Sequence, residues 1–371
     1  MSPITSTPEA LPGLELLQKT AQLVAVPSQS FAEGRIVSII EAELAAHSHL
    51  EVTRVGDNLV ARTQLGRAVR VILAGHTDTV PANRNEQPRL EDDLLWGVGS
   101  ADMKGGLAVM LQLAQQHHHP AVDVTYVFYA REEVAYEHSG LGELFEHRPD
   151  LLQGDVALLG EPTDGQIEAG CQGTMRFSVV LKGERAHIAR AWMGRNAIHR
   201  LGGLLTAIEQ YEPRQPVLLG CRFHEALQVV AVSGGVAGNV VPDSVQIELA
   251  HRFAPDRTSA QAEQHVREFL QPYLINTSQP EGDSIEILDR SSAAYPAVDH
   301  PCITALIERH NLGVRGKLGW TDVARFTEHG VPAVNFGPGD SSLAHTQEEH
   351  LSRESILRTY LALDELLSVG P

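Results

Sequence analysis

The chain has 371 residues, 43% hydrophobic and 20% charged, which is enough apolar material for two domains of ordinary size and excludes a single small module. Its formal net charge of −18 repels a phosphate backbone, and no basic stripe with interleaved aromatics overrides that field, so nucleic acid is not an expected partner. The first twenty residues lack a positive region followed by an apolar one, no run of about 18 apolar residues occurs, and the three cysteines Cys171, Cys221 and Cys302 are far apart; a soluble cytoplasmic protein with no membrane partner is expected.

In chain order, the first half alternates helical patterns with short runs rich in Val, Ile and Leu: VRVILAG (69–75), VDVTYVFYA (122–130) and DVALLG (155–160). Such alternation predicts an α/β fold whose central, mostly parallel sheet is flanked by helices. From about Thr174 the texture changes to alternating strands at 175–183, 227–235 and 244–253, with helix-like stretches at 196–211 and 259–274. After about Ser291 the first texture returns, with a helix in PCITALIERHNL and a buried strand in VPAVNFG (331–337). The expected organisation is a main α/β domain formed by 1–173 and 290–371, interrupted by a smaller α+β domain at 174–289.

In open α/β sheets ligands collect beyond the carboxyl ends of the strands. Here those ends carry metal-ligand residue types: His76 and Asp78 after the first run, Glu132 and Glu133 after the second, Glu161 after the third, and His345 beyond a Gly/Pro loop after the last. Between the first two, Asp102 precedes a Gly-Gly helix start. Two divalent ions carry four positive charges, which Asp102, Glu133, Glu161 and a hydroxide would neutralise. Imidazole and carboxylate ligands together suit two zinc ions, with cobalt and manganese also compatible. A carboxylate that is not a ligand is then needed to move the water proton, and Glu132 is placed for it. Asp78, two residues past His76, can accept from the second imidazole nitrogen and fix the ring. The tract His117-His118-His119 closes a helical pattern before Pro120 with no partner near it in sequence, and is assigned to the surface rather than to the site. Neither GxGxxG nor GxxxxGK[ST] occurs, so the glycines of ADMKGG and GPGD are read as shaping backbone rather than cradling phosphate.

At these residues the sequence resembles the dizinc aminoacylase, carboxypeptidase and deacylase family. The likeness runs nearly end to end through GHTDTVP (75–81), GVGSADMKGG (97–106), AREE (130–133), GEPT (160–163) and AHTQEE (344–349). It implies a bridging Asp102, with His76 and Glu161 completing one metal's ligands and Glu133 and His345 the other's. It also implies that Glu132 is the general base and acid, that Asp78 supports His76, and that the Asp102–Met103 peptide is cis. The inserted domain is then expected to mediate a homodimer and to act as a lid. GERAHIARAWMGRNA (183–197) makes His187 the candidate donor to an oxyanion in the partner's site, with an ordinary loop histidine as the alternative. GGVAGNVVPD places Asn239 near a substrate carbonyl, and HRFAPDR offers Arg252 either for a substrate carboxylate or for a strand-end ion pair.

Where many members have Ser and Pro after the oxyanion histidine, this chain has Ile188 to Trp192, so its pocket wall differs. AGCQGT, RAHIARAW and GWTDVARF nonetheless resemble one branch, the succinyl-diaminopimelate desuccinylases. That likeness implies an N-acyl amino acid substrate, with Thr321 near it and Arg176 or Arg190 near its carboxylates. Other deacylases and peptidases of the family are the rival expectation, and a non-catalytic homologue the remote one.

Overall fold

The computed structural model of the chain describes residues 10–371 apart from 276 and 280. In chain order the main elements of the first part are α1 (Ala10–Val24), α2 (Gly34–Ala45), β1 (Glu51–Val55), β2 (Asn58–Arg62), β3 (Arg70–His76), α3 (Gly105–Gln116), β4 (Asp123–Tyr129), α4 (Gly140–His147), β5 (Val156–Leu159) and β6 (Ile167–Ala169). There follow β7 (Gly173–Lys182), α5 (Ala197–Glu209), β8 (Ala226–Gly234), β9 (Ser244–Phe253), α6 (Ser259–Leu270) and β10 (Ser284–Ser291). The chain closes with α7 (Pro301–His310), β11 (Val314–Gly316), α8 (Val323–Glu328), β12 (Ala333–Asn335) and α9 (Arg353–Val369).

Two compact units result: one comprises the chain up to Gly170 with Pro296–Arg315 and Arg325–Pro371, the other Cys171–Tyr295 with Gly316–Ala324. The second unit therefore extends past the expected 174–289 at both ends and takes in a segment that the sequence reading left in the main domain. Backbone pairing explains the ends, because Cys171 and Ala294 exchange N–H···O bonds of 3.1 and 3.0 Å. The added segment is tied in by the Trp320 indole, which donates to the Ser292 carbonyl at 3.1 Å.

The first unit is built on an eight-stranded sheet in the order β1-β2-β4-β3-β5-β12-β6-β11. Its centre, β4-β3-β5-β12, is parallel, while β1, β2 and β6 pair antiparallel at the flanks. Strands covered on both faces read as continuous apolar runs rather than alternations, and every residue of β4 is buried. Register then sets the function: His76 stands opposite Tyr129, Ala74 opposite Leu159, and Leu159 opposite Asn335. The residues following β4, β5 and β12 consequently leave the sheet at the same edge as His76. Glycine permits close approach there, since a Cβ on Gly337 would lie 2.2 Å from the Gly160 carbonyl oxygen and one on Gly106 would lie 2.4 Å from it.

The second unit contains a four-stranded antiparallel sheet ordered β8-β9-β7-β10. Alternation gives it one buried face: Met175, Phe177, Val179 and Leu181 on β7 join Val245, Ile247 and Leu249 on β9 in a core with Leu204 of α5 and Val266 of α6. Asn196 starts α5 by accepting the N–H groups of Ile198 and His199, and a Thr258–Gln261 capping box starts α6.

Candidate metal centre

Within the first unit, the expected ligands meet at the carboxyl edge of the sheet. One oxygen of Asp102, Oδ1, lies 3.0 Å from His76 Nε2, and the other, Oδ2, lies 3.5 Å from His345 Nε2. His345 Nε2 is also 2.7 Å from Glu133 Oε1. Ligand atoms of His76, Asp102 and Glu161 fall within 4.8 Å of one another, as do those of Asp102, Glu133 and His345. Two three-ligand sets thus share one carboxylate, with a separate oxygen of Asp102 facing each. This donor set fits a pair of divalent ions. Glu132, beside them, also falls in a ligand-sized group with His76 and Glu133.

Electrostatics agree with a cation-seeking site. Hydrogen bonds to Asp102 and Glu133 push the His345 imidazole up to about 10. Burial alone would lower the pKa of His76, but hydrogen bonds to Asp102 and Asp78 outweigh it and raise the value well above the ordinary one. Burial likewise opposes charge on Asp102, yet hydrogen bonds with His345 and His76 hold its carboxyl below the usual range. Divalent ions would displace the protons that this field attracts. The Asp102–Met103 peptide is cis, and Arg131 and His345 both adopt positive φ, 60° and 64°.

Asp78 faces His76 as expected and has further contacts besides. His76 Nδ1 is 3.0 Å from the backbone carbonyl oxygen of Asp78 and 3.5 Å from its carboxylate Oδ1. The carboxylate also accepts the N–H of Glu132 at 3.0 Å, the N–H of Glu133 at 3.1 Å and the Ser30 hydroxyl at 2.7 Å. It anchors the Glu132–Glu133 backbone. Ser30 carried no sequence signal for this contact.

Two further residues escaped the sequence reading. Glu349 is buried and accepts the N–H groups of Ala101 and Asp102, both at 3.1 Å, while burial and then the Asp102 charge push it up to about 7. It lies within the AHTQEE motif, which was the available signal. Lys104 buries its ammonium against the carbonyls of Leu23 and Val26, and burial pushes it down to about 8. His118 and His119 are exposed, as expected, but folding brings His47 and His49 beside His118.

The remaining candidates lie in the second unit. His187 is exposed, and its Nδ1 accepts the Ala189 N–H at 3.0 Å. Beside it, the Ile188 N–H donates to the Asn239 carbonyl at 2.9 Å. Arg176 stands opposite Ala250 and Arg252 opposite Thr174, so parity puts both arginines on the sheet face away from α5 and α6. Arg176 pairs with Asp289 at 3.9 Å, whereas Nη1 of Arg252 is buried with no hydrogen-bond partner among the described residues. Arg190 sits at a kink in the exposed turn Ile188–Met193, and Thr321 is buried. A broad cleft of about 1000 Å³ in this unit, lined by Glu263, Arg267 and Asp283 among others, holds no ligand-sized group among the described residues, so size does not mark the site here.

Three carboxylates and two histidines gathered at the carboxyl edge of a parallel α/β sheet, with an extra glutamate beside them, define the class of dinuclear-metal hydrolases. The chain belongs to the peptidase family M20/M25/M40, whose model matches residues 72–368. It is 46% identical over 352 residues to a Mycobacterium tuberculosis protein provisionally named as a succinyl-diaminopimelate desuccinylase, covering 93% of this chain and 97% of that one. A Corynebacterium glutamicum succinyl-diaminopimelate desuccinylase is 40% identical over 373 residues, with 97% and 99% covered. Among solved structures, an aminopeptidase from Bacillus cereus shares the fold with a TM-score of 0.77 at 19% identity, over 96% of this chain and 98% of that one. A dinuclear metal-binding peptidase from Bacillus subtilis does so with a TM-score of 0.68 at 17% identity, over 96% and 98%. No described helix is long and apolar enough to cross a membrane.

Proposed function

We propose that the protein is a dizinc amidohydrolase that cleaves N-succinyl-LL-2,6-diaminopimelate to succinate and LL-2,6-diaminopimelate. The division of Asp102's two oxygens between the His76 and His345 sets carries the metal chemistry. The substrate follows from relatives named for this reaction at 40% and 46% identity over nearly the whole chain. When bound by His76, Asp102, Glu133, Glu161 and His345, two divalent ions supply Lewis acidity for the amide carbonyl and for water. Zinc is the proposed metal because imidazole and carboxylate donors suit it, with cobalt or manganese able to replace it.

Glu132 takes a proton from the attacking water as its oxygen bonds to the succinyl carbonyl carbon, and delivers that proton to the amine nitrogen as the C–N bond breaks. Asp78 keeps Glu132 and Glu133 in place through their N–H groups. His187 acts in the partner's site of a homodimer: because its Nδ1 accepts the Ala189 N–H, the neutral ring carries its proton on Nε2 and can donate it to the developing oxyanion. The dimer is supported by β8, an edge strand of the second unit with Val230 and Val232 more than half exposed, and by Trp192 at 81% exposure. Asn239 and Thr321 contact the substrate, and Arg252, Arg176 and Arg190 serve its carboxylates. A cytoplasmic location is supported by three buried free cysteines.

Hydrolysis of N-succinyl-LL-diaminopimelate beside N-acetylornithine and a dipeptide, by metal-stripped protein with and without zinc, tests the reading. Zinc-dependent turnover of the succinyl substrate is expected. Turnover confined to another substrate would assign the same centre to a different deacylase or peptidase.

A further inference from the structure

His47 and His49 lie in the turn between α2 and β1, and His118 in the turn between α3 and β4. One ring nitrogen from each comes within 4.8 Å of the other two. The His49 and His118 rings stack with centroids 4.2 Å apart, and His47 stands 5.8 Å from His49 and 6.4 Å from His118. We propose that these three histidines form a third metal site, distinct from the dinuclear centre, which takes one first-row divalent ion of the imidazole-preferring kind, such as Zn²⁺, Ni²⁺ or Cu²⁺.

Hydrogen bonding prepares His49 for the task. Its Nε2 is 2.9 Å from the Ala114 carbonyl oxygen, which can only accept, so Nε2 carries the proton and Nδ1 keeps a lone pair for an ion. Metal-ligating histidines characteristically have this arrangement, one nitrogen held by a carbonyl and the other directed to the metal. Burial, together with the neighbouring His118, His47 and His119, lowers the pKa of His49 and keeps its lone pair available at neutral pH. His117, the first of the tract, is engaged elsewhere, 2.9 Å from Asp364 of α9. The tract thus divides into one residue that ties down a helix and one, His118, that faces the other turn.

Chemistry and position set the site apart. The group contains imidazoles alone, which favours Zn²⁺, Ni²⁺ or Cu²⁺ over Mg²⁺ or Ca²⁺. Three protein ligands leave a fourth position for water or another donor. The pairings of β1 with β2 and of β2 with β4 are both antiparallel, so β1 runs parallel to β4, and the two histidine-bearing turns precede their amino ends. The dinuclear centre lies at the carboxyl ends, beyond seven-residue strands about 20 Å long. One ion cannot serve both places.

The test is equilibrium dialysis of the untagged full chain against Zn²⁺, with bound metal counted by mass spectrometry, followed by Cu²⁺ titration read by electron paramagnetic resonance. The His49→Ala/His118→Ala double variant is expected to bind one ion fewer than the wild type and to keep wild-type turnover. His118→Gln alone, at an exposed ring, guards against loss of folding and is expected to weaken that ion by about 10–100-fold or more, removing a nitrogen from the Cu²⁺ hyperfine pattern. Because the reading is the difference between chains, it does not depend on the dinuclear centre being filled. Equal stoichiometry and affinity in wild type and both variants would overturn the proposal.

Discussion

Replacing Asp78 by Asn tests how the centre is held, because the substitution keeps the side-chain shape and removes no proposed metal ligand. The wild-type carboxylate is fully buried; Oδ1 accepts from Glu132, while Oδ2 accepts from Glu133 and Ser30. An amide NH2 placed at Oδ1 would confront the Glu132 N–H and the nearby His76 ring. Placed at Oδ2 it confronts only the Glu133 N–H, since the Ser30 hydroxyl can rotate to accept. The second orientation is therefore favoured, and the Glu133 N–H is left unsatisfied next to another donor. That orphan costs about 1–3 kcal/mol, and weakening the surviving bonds from charged to neutral adds roughly 1 kcal/mol. Urea unfolding of the metal-free Asp78→Asn chain is expected to show a stability about 2–4 kcal/mol lower with an unchanged slope. Because Glu133 shifts, kcat/KM of the metal-loaded variant is expected to fall about 10–100-fold. A stability change below about 0.5 kcal/mol together with unchanged kcat/KM would refute the anchoring role.

Glu132→Gln is expected to retain both ions and lose about 10²–10⁴-fold in kcat, measured by steady-state turnover beside metal analysis. His251 is buried, with Nδ1 2.8 Å from the Ala226 carbonyl, and burial pushes it down to about 4. A depressed histidine contributes stability that is present above its unfolded value of about 6.5 and is lost as pH falls toward 4, so the wild type is expected to lose roughly 3 kcal/mol over that window relative to His251→Gln, as read by urea unfolding at stepped pH. Gly337→Ala would put a Cβ 2.2 Å from the Gly160 carbonyl oxygen and 2.5 Å from that of Glu161, both backbone atoms that cannot swing aside. A loss of about 1–3 kcal/mol or more, with reduced turnover through a displaced Glu161, is expected by calorimetry and assay.

Most of the first unit's architecture was legible because strands buried on both faces must be apolar throughout, and ligands must follow their carboxyl ends. From that rule His76, Asp102, Glu133, Glu161 and His345 could be gathered before any coordinates, and the motifs around them specified the family. Residue types and spacing determine this much by themselves. Tertiary structure decided what depends on distance between segments remote in sequence. It turned the Asp78 carboxylate toward the Glu132–Glu133 backbone, set Glu349 beneath Asp102, moved Gly316–Ala324 into the second unit, and brought His118 to His47 and His49. Helical and strand periods record which face of an element is buried, but not which other segment's side chains will lie against it; that is fixed only when strand register and helix packing are.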